Sequence, residues 1–428
     1  MISSAAIASL SASVPQLLER HVALWRTCEN DRPHLGRTFT AAEQSVRGKA
    51  LKRFVDELRA ETKRSRRRSA DRDAAQKRIM SAFEIFARRA LDWEDRHIRV
   101  LIGGGFERSA AEFFRMAKQF DPGMNAEDIF QALRNVWVMN GLQSLLGIQV
   151  HLTPAIFAYS MLYPYTDNYL DDAATTEATK MDFNERFRRR LEGQEIAGAN
   201  QRENAIFDLV AMIEKEYERA LHPQVFESLL AIHRAQVRSL RLLRGSGAPS
   251  ETEALEICLE KGGTSVLADG CLVAGSLAPD QIEFTFGLGA FLQLLDDQED
   301  VPSDSEAGLL TFYSLAAGRS PLDALTNHTL CFGARVYERL DAFGAPGPGP
   351  LKELLRSVTM QTPIISAGRS GRFYGRSYLG SLEAHSPFRF SFSNKQRRKL
   401  FRRRSAFMRL FDGWFSSEKD RASIRDIR

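Results

Sequence analysis

The sequence predicts an all-α chain, and three observations carry that expectation. Helix-forming residues dominate with apolar side chains recurring every three to four positions, hairpin signals are scarce, and stretches alternating with period two are short. The chain has 428 residues, 43% hydrophobic content and a net charge of +5, enough to bury a substantial core. Residues 1–85 read as a charge-rich helical N-terminal extension, and KRSRRRSADRD (63–73) within it reads as a solvated helix face or loop. Residues 86–345 are more apolar and form the expected catalytic bundle, with helices parted at DPG (121–123), the Gly-rich 192–200 region and GSGAPS (245–250). APGPGP (345–350) breaks the pattern, so residues 346–428 are expected to be a linker, a closing helix and a basic, aromatic tail. The four cysteines, Cys28, Cys258, Cys271 and Cys331, have no CxxC spacing, which argues against a zinc site and for a reducing compartment. The first residues lack the basic region and apolar core of a secretory signal, so the expected location is cytoplasmic.

Between Arg134 and Asp167 there is no Asp, Glu, Lys or Arg, a length that could span a bilayer. Asn140, Gln143, Gln149, His151 and Pro154 interrupt the run, so a pair of buried helices is the expected form. The run ends at TDNYLDDAATT (166–176), where Asp167 and Asp171 share a helix face and Asp172 adjoins them. A second acidic cluster, Asp296, Asp297, Glu299 and Asp300, ends the apolar segment FLQLLDDQEDV (291–301). Carboxylates crowded at a helix C-terminal end repel one another and oppose the helix dipole. Either cluster alone reads as an ordinary surface face, but two at the ends of apolar runs suggest a shared cation. Oxygen donors without nearby Cys or His pairs suit Mg²⁺, whose remaining positions are commonly filled by phosphate oxygens and water, so the implied ligand is a diphosphate.

These residues resemble a known family. FLQLLDDQEDV contains a DDxxD similar to the second aspartate-rich motif of class I isoprenoid synthases, and DNYLDD resembles their first motif. The DxxxDD pattern departs from the DDxxD of chain-elongating enzymes and is closer to squalene-synthase-like enzymes and to large bacterial terpene synthases related to tetraprenyl-β-curcumene synthase. In the latter, motifs of the DYLDN and LDxxxDQEED types are similar to DNYLDDAATT and to LLDDQEDVPSDSEAGLLTFYSL here. EKGGTSVLADGCLVAG (260–275) looks like that family's Gly-kinked helix between the motifs. The resemblance spans about residues 130–320.

It implies a class I isoprenoid synthase-type helical bundle around a deep apolar pocket, with Asp167, Asp171, Asp172, Asp296, Asp297 and Asp300 as metal ligands. Three Mg²⁺ ions bridging a prenyl diphosphate would go with them, and Asp167, Asp171, Asp296 and Asp300 would be catalytic. Both clusters should then face each other across the pocket mouth, at roughly 6–12 Å. Lys261, in the segment resembling the family helix that meets the diphosphate, is the first cationic candidate, and Arg238, on a helix with Arg234 and Arg241, the second. GRFYGRSY (371–378), with Arg372 and Tyr378, resembles the Arg/Tyr caps that close over diphosphate in several class I enzymes. Phe157, Tyr163 and Phe291, with Tyr159, Phe284 and Phe286, precede the acidic clusters where a pocket wall would lie, although each singly reads more simply as core.

The expected reaction is Mg²⁺-dependent ionisation of a prenyl diphosphate with cyclisation or elimination of the carbocation, a lyase reaction. Prenyl transfer, head-to-head or head-to-tail, is the alternative on the same fold, and a non-catalytic membrane-associated binding protein is the alternative from another class. Protonation-initiated cyclisation is disfavoured because no DxDD is present, and a His-Asp phosphohydrolase because no histidine precedes an aspartate. In the tail, NKQRRKLFRRRSAFMRLFDGWF (394–415) interleaves cations with aromatic residues, as in a helix lying on an anionic membrane surface. No nucleic-acid module accompanies it, so no nucleic-acid partner is expected. Oligomeric state and substrate chain length are not legible.

Overall fold

The helical periodicity of the sequence is realised along the chain. The computed structural model describes residues 10–28, 33, 35–65, 72–170, 176–243, 247–343, 349–402, 404 and 406–408, and every regular element among them is a helix. The first three are α1 (Leu10–Thr27), α2 (Ala41–Ser65) and α3 (Arg72–Ala90). There follow α4 (Asp95–Gly103), α5 (Phe106–Phe120), α6 (Ala126–Leu145), α7 (Pro154–Leu170), α8 (Glu177–Leu191), α9 (Gln201–Glu216) and α10 (Pro223–Ser239). Then come α11 (Glu251–Ala274), α12 (Pro279–Ala307), α13 (Phe312–Ala317), α14 (Asp323–Tyr337), α15 (Gly349–Arg369), α16 (Arg376–Glu383) and α17 (Phe390–Phe401). Polar caps set several starts: the side chains of Asn125, Asn200 and Ser250 accept from backbone N–H groups three residues on, at 2.9, 3.0 and 3.1 Å.

From Phe284 to Leu295 the sequence is apolar on nearly every side of a helix, and such a helix must be surrounded. α12 is accordingly central, packed against α11, α13, α14 and α15. α11 and α12 touch backbone to backbone. A Cβ added at Gly262 would sit 2.3 Å from the Gly289 carbonyl oxygen, and one at Gly289 would sit 2.1 Å from that of Gly262. Gly262, Gly263 and Gly270, in the segment expected to be Gly-kinked, lie in one continuous helix and admit the close approach of Gly289, Phe286 and Thr285 of α12, while Gly275 caps the helix at a positive φ.

The segment expected as an N-terminal extension divides in two. α1 belongs to the body: Leu10, Val14 and Leu17 join the core around α5, α7 and α9, and Trp25 stacks on His328 of α14 at 4.6 Å. α2 and α3 form an antiparallel pair at the side, fixed by Glu61 with Arg78 at 2.8 Å, Phe54 stacked on Phe86, and the Arg47 guanidinium donating to the Ala90 carbonyl at 2.7 Å. The uncharged run after Arg134 folds as α6 and α7, and two of its polar side chains are hydrogen-bonded. The Asn140 side-chain oxygen accepts from Ser109 at 3.1 Å, and the Gln143 amide donates to the His151 carbonyl at 3.0 Å. No helix among the described residues is long and apolar enough to cross a membrane. All four cysteines are free thiols.

Candidate active site

The α11/α12 crossing places Lys261 beside the acidic end of α12, and a cavity of about 110 Å³ opens there between α6, α7, α8, α10, α11 and α12. Its polar end holds Asp296, Gln293 and Lys261. Its walls are Tyr159, Leu162, Tyr163, Phe187, Leu229 and Ile232, and farther in it meets Asn135, Ser265 and His233. A larger groove of about 860 Å³ runs past Asp121, Asn125, Arg202 and Asp208, and none of its described lining residues belongs to either acidic motif. The smaller cavity is therefore the better site.

Along α12, Asp296, Asp300 and Asp304 follow at intervals of four and share one face. Arg134 of α6 reaches Asp296 at 3.3 Å. Burial first, then the neighbouring charges of Asp296, Asp304 and Glu299, push the Asp300 carboxyl up to about 6, against a smaller opposing effect of Arg134. Asp304 is raised too, by burial above all, while the Thr311 hydroxyl donates to it at 3.1 Å. Asp297 differs: it is 5% exposed, accepts from the Gln293 amide at 2.9 Å, and burial pushes it up to about 7. Glu299 points towards the C-terminal helices, where it meets Arg369 and, at 3.9 Å, Arg397.

The carboxylate face is all hard oxygen donors, and its mutual repulsion is what a bound cation would relieve, so Asp296, Asp300 and Asp304 fit Mg²⁺ in kind. Among the described residues, no three His, Cys, Asp or Glu side chains come together closely enough to hold a metal. Of the first motif, Asp167 lies one turn beyond Tyr163 on α7, while Asp171 and Asp172 fall outside the described residues, as does the expected spacing between the clusters. The cavity-lining side of α7, with Tyr163 and Thr166, opens into the same cavity as Asp296.

Several expected site residues are placed elsewhere. Phe157 is 1% exposed and tilted against Phe113 at 5.5 Å, and Phe291 is fully buried against Gly333 and Tyr337; both are core because they leave their helices on sides that meet other helices. Phe284 and Phe286 are fully buried core residues too. Of the aromatic candidates, Tyr159 and Tyr163 line the cavity. Arg238 is held by Glu256 at 2.9 Å and Glu260 at 2.5 Å, bracing α10 against α11 rather than facing the cavity. Lys261 has no ion-pair partner among the described residues. Tyr378 donates to the Asn327 side-chain oxygen at 2.8 Å and stacks on Tyr374. Arg372 is 62% exposed and 3.8 Å from Glu306, at the end of α12 just past the carboxylate face.

Sequence reasoning missed Arg134, Asp304 and His233. Spacing of eight from Asp296 was a signal for Asp304, but nothing local marks Arg134 or His233, whose positions at the cavity come from contacts between distant helices. Asp269, deep in α11, is 1% exposed with neither carboxyl oxygen hydrogen-bonded, and burial pushes it well above the carboxylate range. No family model, curated protein or solved structure matches the chain.

Proposed function

We propose that this chain is a class I terpene synthase-type enzyme that ionises a prenyl diphosphate with Mg²⁺ and cyclises the carbocation or eliminates a proton from it. The observation that carries this reading is one cavity with Asp296 and Lys261 at its mouth and aromatic and aliphatic walls behind them. Asp296, Asp300 and Asp304 would hold Mg²⁺, which when bound supplies positive charge to the departing diphosphate. Lys261 and Arg134 lie where they would bind the same leaving group. Tyr159 and Phe187 present ring faces and edges to the cavity and, with Leu162, Leu229 and Ile232, keep water from the cation.

The cavity is smaller than the roughly 300–1,000 Å³ of small-molecule sites, so loading a chain requires wall side chains to move outwards. The deciding experiment incubates the purified protein with Mg²⁺ and prenyl diphosphates of ten to thirty-five carbons, following diphosphate release and organic-phase products. Release without chain coupling supports the reading, and Asp296→Ala should lower it on the order of 10²-fold or more while preserving helical circular dichroism. No release from any substrate would overturn it.

We further propose that the tail makes a peripheral membrane contact. Phe401 is 54% exposed, with Arg397 and Arg404 over its ring at 4.6 and 6.0 Å, an arrangement that suits an anionic surface. Residues 409–415 of this stretch lie outside the described residues.

A further inference from the structure

One polar group in the cavity wall has no part in binding a diphosphate. His233 of α10 lines the cavity and is 5% exposed, and neither ring nitrogen has a hydrogen-bond partner. An unsatisfied buried imidazole is costly, so its retention in this wall calls for an explanation. Its depth follows from the α10/α11 register. Arg238 meets Glu260, the thiol of Cys271 lies by the Ser228 hydroxyl, and His233 is midway between these contacts. That sets it opposite the turn containing Ser265, about one helical turn and roughly 6 Å deeper than Lys261. The mouth is thus the place for diphosphate, and His233 faces the hydrocarbon behind it.

We propose that His233 is the base that ends the reaction, taking a proton from the carbon beside the cationic centre. The inference rests on the prenyl diphosphate reading above. The imidazole lone pair accepts the proton, the electron pair of the broken C–H bond becomes the new C=C bond, and a neutral alkene and an imidazolium result. The proton then passes to the released diphosphate or to water as product leaves. The state of the ring suits this sequence. Burial pushes His233 down to about 4, so it rests neutral near pH 7 and gives up its proton readily after turnover. A neutral imidazole carries its N–H on one ring nitrogen and keeps the other as an acceptor. Phe187, edge-on to the ring at 5.3 Å, holds its plane against the cavity wall. His233 thereby makes alkenes the product class, since a wall lacking a base leaves the cation to water or to diphosphate.

The test compares wild type with His233→Asn and His233→Gln on each substrate that releases diphosphate, scoring alkene formed per diphosphate released. The expected result is a fall on the order of 10²-fold in that ratio, with alcohols or rearranged products in place of the lost alkene. Unchanged alkenes in unchanged proportion would overturn the role of His233 while leaving the ionisation reading intact. A wild type that releases no diphosphate would overturn both. An arm independent of turnover uses ¹⁵N-histidine-labelled full-length wild type with Mg²⁺, inorganic pyrophosphate and a prenyl dimethylammonium salt, whose N–H imitates the acidic C–H. Binding should shift the acceptor nitrogen of His233. A bound ammonium, verified by calorimetry, that leaves this resonance in place would also overturn the assignment, even if both variants failed to fold.

Discussion

Gly289→Ala should separate the two helices that build the site. The added Cβ would lie 2.1 Å from the Gly262 carbonyl oxygen, and ordinary C–H···O contacts begin near 3.3 Å, so α11 and α12 must move apart by about 1.2 Å. A gap of that size forfeits a quarter to a half of the dispersion along the crossing, and overpacking of this kind typically costs about 1–3 kcal/mol, occasionally more. Alanine in place of glycine favours a helix by about 1 kcal/mol, which offsets part of the loss. Because the clash involves backbone on both sides and no side chain can rotate away, the steric effect should win by about 1–2 kcal/mol. Gly141→Ala is the control: it lies inside α6 and a Cβ there meets nothing within 4 Å, so the propensity gain should appear alone. Urea unfolding followed by circular dichroism should show the midpoint falling for Gly289→Ala and rising for Gly141→Ala. With m near 3 kcal/mol/M, each shift is on the order of 0.3–0.7 M. A Gly289→Ala midpoint equal to or above wild type would refute the argument that backbone contact sets this crossing. The same variant should lose activity, because Lys261 and Asp296 sit on the two helices being parted.

Three further outcomes follow from the site. Without metal, Asp297→Asn should be more stable than wild type above pH 7 and similar below about pH 4. The folded carboxyl titrates near 7 against an unfolded value near 4, so its contribution is fully present below 4, is lost as pH rises to 7, and amounts to on the order of 2–4 kcal/mol; flat stability differences across that window in thermal melts would contradict the burial argument. Lys261→Ala should raise KM for a prenyl diphosphate while Arg238→Ala should leave it near wild type and cost about 1 kcal/mol of stability, and steady-state kinetics with melts separates them. Phe401→Glu should weaken binding to vesicles rich in anionic lipid, and added salt should weaken wild-type binding; this substitution is preferable to truncation, because Phe390, Gln396 and Phe407 are buried and α17 packs on α2 and α15.

The sequence by itself determined the helical class, the carboxylate cluster that follows the apolar stretch of α12 and the closeness of Lys261 to paired glycines in the chain. These are local facts: helical period, turn residues and charge spacing act within a few residues along the chain. Tertiary structure alone decided which face of each helix meets the cavity. α12 is apolar nearly all round, so no period could say that Asp296 looks into the cavity while Phe291 and Asp297 look into packed protein. On α7 the same ambiguity separated Tyr163 from Phe157, and on α10 it turned Arg238 to Glu256 and Glu260 while His233 turned inward. Arg134 reaches Asp296 across 162 positions of sequence, a distance over which no pattern in the chain carries information. Glycine at 262 and 289 was visible, but that each exists to admit the other is a property of two surfaces meeting, where a single methyl group would leave no room.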